Sequence, residues 1–139
     1  MRKFLLKIVS QEKELLSIEV ESVSLPTTEG EITVLYKHIP LFSQLKTGEL
    51  IYRIGEEEKS VVVSNGFVNI SPMSEVTVMT DSGVLARDIS IAKAEAAVKA
   101  AHETMKKTQN QRELILAEAS LRQAMMEIRV AQKTKKARI

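Results

Sequence analysis

The chain has no cysteine and no tryptophan, and aromatic side chains make up only 4% of its 139 residues. The absence of cysteine excludes disulfide bonds, thiolate metal sites and cysteine nucleophiles. Residues 1–9 carry too many charges for the core of a signal peptide. No later stretch approaches the roughly 18 apolar residues of a membrane-spanning helix. We therefore expect a soluble chain whose contact with a membrane runs through a partner.

Glycine and proline are scarce, and none of the 5 glycines and 3 prolines lies beyond Asp88. Before Asp81, short apolar runs with strand-like alternation are separated by Gly, Pro and Asn. After Asp88, apolar residues rich in Ala recur with the three-and-four spacing of packed helices. The sequence therefore predicts an α+β chain with two parts. Residues 1–84 are predicted to form a β-sandwich or flattened barrel, and residues 88–139 an antiparallel helical hairpin.

Three local signals lie in the predicted β part. The alternation slips by one residue around Glu21–Ser22, which suggests a bulge. Gly55 opens an acidic turn between two strand-like runs. Asn65-Gly66 lies between two further runs and predicts a type I′ hairpin turn, because both residues tolerate positive φ.

The predicted hairpin has a cap, a break and two apolar stripes. Asp88 or Ser90 is a candidate cap, and the polar run 108–111 is the expected turn. Alanine supplies about half of each stripe, and a buried Ala removes far less apolar area from water than a Leu does. We therefore expect a weakly held helix pair that is able to undock. The stripes are Ile91, Ala94, Val98, Ala101 and Met105, then Leu114, Ala117, Leu121, Ala124, Ile128 and Ala131.

Catalytic and metal-binding signals are weak. His102 has no second His at helical spacing for zinc, and His38 lacks an evident Ser or Asp for a triad. No glycine-rich phosphate loop is present, so we expect no catalytic, cofactor-binding or metal-binding residues. Residues 111–139 contain seven Lys or Arg and three Glu. The basic residues Arg122, Arg129, Lys133 and Lys136 share one face, which forms either a solvated flank or a surface for an acidic partner.

The segment 29–50 resembles the signature of the epsilon subunit of F-type ATP synthases. In that family the pattern is Gly-x-x-Gly-x-x-Pro-x-His-x-Pro-Leu, followed by a Leu and by Gly-x-Leu. The run 64–68 is similar to the family's Ser-Gly-Gly-Phe-Val, the run 128–131 is a further likeness, and the order of the two parts agrees along the whole chain. The residues that match the signature are Gly30, His38, Pro40, Leu41, Leu45, Gly48 and Leu50.

The resemblance implies a rotor subunit that is not an enzyme on its own. Its β-sandwich would contact the gamma subunit and the c-ring, with Glu31 and His38 at the end that faces them and Leu41 as a further contact. Its hairpin would inhibit ATP hydrolysis when extended into the alpha/beta catalytic head, with Arg122, Arg129 and Lys133 meeting acidic surfaces. The complex would translocate protons, and the chain would lie peripherally on the cytoplasmic face of a bacterial membrane.

The sequence also departs from the family pattern. Thr33 replaces the second Gly of the signature, and Tyr36-Lys37 replaces the Pro-Gly before the His, so this loop is expected to turn differently. Some members bind ATP through Ile-Asp-x-x-Arg-Ala, where this chain has Ser90 and Lys93 in place of Asp and Arg. Second-helix positions that bear Arg in those members are here Leu116, Gln123 and Glu127.

These losses argue against ATP binding, because a lost carboxylate and lost bidentate donors are not conservative changes. We therefore expect no cofactor. Two other interpretations remain open at this stage. One is a nucleotide-sensing binding protein whose hairpin closes on ATP, and the other is a small β-domain enzyme centred on His38.

Overall fold

The computed structural model describes residues 2–73 and 75–137, together with the side chains of those residues up to Thr134. The chain forms two compact units, Met1–Val84 and Leu85–Ile139. A short 3₁₀ turn, Ala86–Asp88, precedes the helices. The strands and helices are β1 (Phe4–Val9), β2 (Glu14–Val20), β3 (Ser22–Thr27), β4 (Gly30–Leu35), β5 (Leu41–Leu45), β6 (Gly48–Ile54), β7 (Glu57–Ile70), β8 (Val76–Leu85), α1 (Ile91–Lys107) and α2 (Gln111–Ala137).

Over its described residues, the first unit contains these eight strands. They are hydrogen-bonded in the order β2-β1-β8-β7-β5-β3-β4, and β6 pairs with both β3 and β7. The pairing of β1 with β8 is parallel, whereas β1 with β2 and β3 with β4 are antiparallel. Because β3 and β7 each pair with both β5 and β6, the pairing closes on itself. The predicted sandwich or flattened barrel is confirmed.

Alternate residues of the strands form the core of this unit. In β1 the side chains of Phe4, Leu6 and Ile8 are buried, and the residues between them face outward. β7 contains the continuous buried run Val61, Val62 and Val63. β-Branched side chains pack well on a pleated surface, which explains why valine dominates this part of the core. The other fully buried side chains include Val20, Val23, Leu25, Val34, Leu45, Leu50, Val68, Ile70, Val76 and Val78.

The prediction of a hairpin turn at Asn65-Gly66 is wrong. β7 runs through both residues as one strand that pairs first with β6, up to Val63, and then with β5, from Gly66 onward. Asn65 has φ 28° and Gly66 has φ 143°, so the two residues bend the strand rather than reverse it. Strands that switch partners at the corner of a sandwich use bends of this kind.

The other two local signals in this unit have different outcomes. β2 ends at Val20 and β3 begins at Ser22, so the slip in alternation marks a change of strand and not a bulge within one strand. The acidic turn is present: Ile54 pairs with Glu57 across Gly55 and Glu56, and Gly55 has φ 61°. Its backbone N–H donates to Oε1 of Glu21 at 3.0 Å.

The second unit is the predicted helical pair. The Ser90 side chain caps α1 by accepting a hydrogen bond from the Lys93 N–H at 3.3 Å, so Ser90 and not Asp88 is the cap. Residues 108–110 link the helices, and Gln111 already belongs to α2. Asn110 Oδ1 accepts hydrogen bonds from the N–H groups of Arg112 at 2.9 Å and Glu113 at 3.3 Å, which caps the start of α2.

The two helices pack against each other, and small residues are the most buried part of their stripes. Ala94, Ala101, Ala117 and Ala124 are each less than 8% exposed. Larger stripe residues such as Leu114, Leu121 and Ile128 are only half-buried. The predicted alanine-rich seam is therefore present. Val130 is also fully buried, although it lies outside the predicted stripe.

Candidate partner-docking surfaces

The loop between β4 and β5 carries the predicted contact residue His38. Its backbone N–H donates to the Leu35 carbonyl at 3.0 Å, closing a tight turn, and Nδ1 lies 2.7 Å from the Ile39 carbonyl oxygen. Lys37, at the position of the family's Gly, has φ 66°. A lysine in this left-handed conformation carries a steric cost that glycine would avoid.

This loop forms an apolar tip with cations around it. Ile39 is 78% exposed and Leu35 is 56% exposed. The guanidinium of Arg2 lies 5.5 Å from the centre of the Tyr36 ring, within the range of a cation–π interaction. We call Arg2, Leu35, Tyr36, Ile39 and Leu41 the loop surface.

A neighbouring loop extends the loop surface. Leu41 at the start of β5 pairs with Ile70 at the end of β7. The chain that follows β7 therefore begins at the same end of the sheet, and its Met73 is 84% exposed. Exposed apolar groups gathered at one end of a small unit are typical of a protein contact.

A second apolar cluster lies on the outward side of β5, β7 and β8. Phe42 and Phe67 stack with their ring centroids 5.4 Å apart and their planes inclined by 20°. They are 62% and 44% exposed, and Met79 on β8 is 40% exposed. We call Phe42, Phe67 and Met79 the aromatic surface. None of these three residues was among the predicted contact residues, although Phe67 and Asn69 alternate with the buried Val68 and Ile70, a pattern that marks Phe67 as outward-facing.

The structure does not bring Glu31 and His38 together. Glu31 lies near the start of β4, paired with Pro26, whereas His38 follows the opposite end of that strand. The four residues from Glu31 to Leu35 span about 13 Å at the rise of a β-strand. Leu41 lies with His38 beyond the far end of β4, and the assignment of Glu31, His38 and Leu41 to partner contacts stays a prediction.

On α2 the predicted basic residues are exposed. Arg122, Arg129 and Lys133 all face solvent, and the side chain of Lys136 lies outside the described residues. Ile115 and Met125, at 55% and 56% exposure, fall on the same side of the helix as Arg122 and Arg129 because the spacings are seven, three and four. We call Ile115, Arg122, Met125 and Arg129 the α2 surface, which combines apolar and basic groups.

The residues aligned with the family's nucleotide motif have other surroundings in this structure. The Ser90 hydroxyl is engaged as the cap of α1. Leu116 is 60% exposed. The Gln123 side chain hydrogen-bonds to the Glu127 carboxylate, and partial burial raises the pKa of Glu127 above its ordinary value of 4.5 while that hydrogen bond opposes the shift.

Open grooves of about 430 and 380 Å³ lie between the helices near their link. The larger is lined by one cation, Lys107, and two carboxylates, Glu103 and Glu113. Half of the residues that line the smaller groove are alanines, and Leu116 and Glu113 are among the others. A triphosphate is bound by several donors and positive charges that converge on it, and the linings of these two grooves contain one cation, Lys107.

In the part of the chain that the structure describes, no three His, Asp or Glu side chains are grouped in a way that would hold a metal ion. None of its helices has the length and apolar character required to cross a membrane.

The sequence of this chain matches a known protein family. Residues 3–86 match the model of the ATP synthase delta/epsilon chain β-sandwich domain. An ATP synthase epsilon chain of Dehalococcoides mccartyi is 42% identical over 137 residues, covering 98% of this chain and 97% of the relative. That of Syntrophobacter fumaroxidans is 38% identical over 132 residues, covering 95% and 98%. The chain belongs to the ATP synthase delta/epsilon family, as the resemblance predicted.

Solved structures support the fold. A chain in the mitochondrial ATP synthase of Euglena gracilis superposes with a TM-score of 0.73 at 24% identity, covering 86% of this chain and 76% of the other. A chain in the central stalk and c-ring of the Tetrahymena thermophila enzyme gives a TM-score of 0.65 at 11% identity, with 94% and 97% coverage. At these low sequence identities, the two superpositions support the fold and nothing more specific.

Proposed function

We propose that this chain is the epsilon subunit of the central stalk of a rotary, proton-translocating ATP synthase. It is not an enzyme on its own; its β unit couples rotation of the c-ring to the catalytic head by contacting the gamma subunit and the c-ring. The observation that carries the proposal is kinship with ATP synthase epsilon chains over nearly the whole length, with 97% of a relative covered at 42% identity. Similarity to central-stalk structures agrees with it.

The two apolar surfaces of the β unit supply a physical basis for docking. Ile39 and Phe42 alone leave most of their side-chain area in water, at 78% and 62% exposure. Removing apolar area from water stabilises a complex by roughly 25 cal/mol per Å². Aromatic side chains at the centre of an interface are frequent anchors of binding energy. We assign the aromatic surface and the loop surface, which includes Leu41, to these contacts, and we add His38 from the same loop. Glu31 would belong to a separate contact at the opposite end of β4.

We further propose that the helical pair restrains ATP hydrolysis by engaging the alpha/beta head. The α2 surface presents Arg122 and Arg129, and the positive charge would complement an acidic partner. The alanine seam buries little area per residue, so separation of the helices costs little free energy. A restraint of this type needs a helix pair that is able to change its position.

We propose that no nucleotide controls this movement. The Glu127 carboxylate, the engaged Ser90 hydroxyl and the mixed charges of the grooves all disfavour a bound triphosphate. Equilibrium dialysis of the full chain against ATP and magnesium should show no saturable binding in the micromolar range. Saturable binding there would support a nucleotide sensor instead.

The position we propose for the chain is peripheral, on the cytoplasmic face of a bacterial membrane, held there by the rest of the complex. Both curated relatives described above come from bacteria. Fractionation of cells should place the chain with the membranes, and removal of the gamma subunit should release it.

Co-purification with the gamma subunit tests the docking proposal. Phe42→Ser and Ile39→Ser in the full chain should each weaken capture by roughly tenfold, because each removes an exposed apolar anchor. Leu116→Ser is the matched control: Leu116 is similarly exposed, at 60%, but lies on α2. Capture that is unchanged in both β-unit variants, or equally weakened in the control, would contradict the assignment.

A further inference from the structure

The peptide that joins Asn65 and Gly66 is held on both sides. Its carbonyl, that of Asn65, lies 3.2 Å from the Thr80 hydroxyl. On its other side Gly66 lies so close to β8 that a Cβ there would be 1.9 Å from the Met79 carbonyl oxygen. Gly66 also pairs with Leu45 of β5. Rotation of this peptide group therefore requires the local β5–β7–β8 pairing to open.

Thr80 is the centre of this arrangement. It is buried, and its hydroxyl lies 2.6 Å from the Ser64 carbonyl and 2.7 Å from that of Ser82, while it accepts from the Ser64 N–H at 3.1 Å. A hydroxyl has one hydrogen, so it donates to one of these carbonyls at a time. The contacts nevertheless fix the backbone on both sides of the bend.

An Asn-Gly sequence has an intrinsic chemical weakness, and asparagine is among the thermolabile residues. The backbone nitrogen of the glycine attacks Cγ of the asparagine, forming an N–C bond as the bond to the side-chain nitrogen breaks. The glycine N–H proton leaves with that nitrogen as ammonia. Water then opens the resulting succinimide at either carbonyl, giving aspartate or isoaspartate.

We propose that Asn65 is a deamidation site that the folded bend of β7 keeps closed. The Asn65 side chain is exposed, so neither it nor the water that the reaction consumes is excluded. The fold prevents the rotation that would bring the Gly66 backbone nitrogen to Cγ of Asn65. Reaction therefore follows opening of this segment, and isoaspartate adds a carbon to the main chain at the point where β7 changes partners. A chain that has reacted is unable to rebuild the same bend.

The test compares the folded full chain with the same chain in guanidinium chloride, both in mildly alkaline buffer. Trypsin releases the peptide 60–87, in which exchange of the amide for a carboxyl is measured by mass spectrometry. We expect deamidation in denaturant to be at least about tenfold faster, because local opening limits the reaction in the fold. Equal rates in the two solutions would overturn the proposal.

Internal and matched controls lie in the same peptide. Asn69 precedes the β-branched Ile70, which hinders the attack, so Asn69 should remain unmodified in both solutions. Asn65→Gly keeps a residue suited to positive φ and should abolish the mass increase. A mass increase that persists in Asn65→Gly would place the reaction elsewhere and refute the assignment.

A variant tests whether the Thr80 hydroxyl restrains the bend. Thr80→Val removes the hydroxyl but keeps a β-branched side chain, so deamidation should be faster in the folded variant and unchanged in guanidinium chloride. The unmodified sequence provides an independent measurement: across a denaturant series, its deamidation rate should rise with the opened fraction. A deamidation rate that stays constant across the unfolding transition would contradict the proposed restraint. So would a folded Thr80→Val chain that deamidates at the original rate.

Discussion

At the residue scale, Gly66 is the position where the β unit tolerates a side chain least. It combines φ 143° with a backbone carbonyl 1.9 Å from the place of a Cβ. Gly66→Ala should therefore lower the free energy of unfolding by about 3 kcal/mol or more. Gly55→Ala is the matched control, because Gly55 also has positive φ, 61°, but open space around it; its cost should be about 1 kcal/mol. Denaturant titration measures both, and similar losses would show that the close approach to Met79 does not matter.

Glu127 carries a pH dependence on the same scale. Burial raises its pKa above 4.5 in the folded chain, so folding favours the protonated carboxyl. Its contribution to stability is present below 4.5 and is lost as pH rises through the raised pKa. Glu127→Gln should thus stabilise the helical pair at neutral pH, by less than about 1 kcal/mol because solvent screens the half-exposed group.

The comparison is made by thermal unfolding across the acid range. The difference between Glu127→Gln and the original chain should vanish below the ordinary pKa of a glutamate. A difference that is constant with pH would assign the effect to packing instead of ionisation.

The Asn65-Gly66 bend shows where local sequence reasoning reaches its limit. Two residues that tolerate positive φ between β-branched runs suit a hairpin turn and a strand bend equally well. The choice is made by distant residues: Leu45 pairs with Gly66, and Thr80 lies against Ser64 and Asn65. A type I′ turn would leave these partners unmatched, so long-range pairing overrides the local preference.

At the scale of elements, the prediction succeeded where the signal was periodic. Helical spacing gave both helices and their link, because Ser90, Asn110 and the alanine stripes act within a few residues of one another. The aromatic surface was not predicted. Its two rings come from β5 and β7, whose pairing depends on the fold as a whole.

The alanine seam yields a prediction about the helices. Ala101 is 5% exposed and lines the groove between α1 and α2, so Ala101→Leu should separate the helices at a cost of about 1–3 kcal/mol. Amide hydrogen exchange in α1 and α2 should become faster, while that of the β core stays the same. Ala96→Leu on the exposed side of α1 is the matched control and should change stability by less than about 0.5 kcal/mol. Amide protection in α1 and α2 that is unchanged by Ala101→Leu would show that the space between the helices accommodates a leucine.

At the scale of the whole molecule, the signature 29–50 predicted the family, and the full-length kinship confirmed it. The same signature did not predict how its residues are arranged. Glu31 and His38 are close in sequence, yet an extended strand carries them to opposite ends. Residues that are neighbours in a sequence motif therefore cannot be assigned to one contact surface until the strands that carry them are known.

The proposed division of labour between the units makes a separable prediction. A chain ending at residue 87 keeps the β unit Met1–Val84 and lacks both helices. It should still assemble with the gamma subunit, and the assembled enzyme should hydrolyse ATP faster by roughly fivefold, the effect of a coupling free energy of about 1 kcal/mol. Assembly is measured by co-purification and hydrolysis by phosphate release.

Charge reversal in the full chain tests whether the helical pair acts through the basic residues of the α2 surface. Arg122→Glu combined with Arg129→Glu should also speed hydrolysis, because the α2 surface would then repel an acidic partner. Lys99→Glu, at an exposed position on α1, is the matched control and should leave the rate unchanged. Faster hydrolysis after truncation but not after charge reversal would show that the hairpin restrains the motor without using its basic face. Unchanged hydrolysis in both would leave the chain with coupling as its sole role.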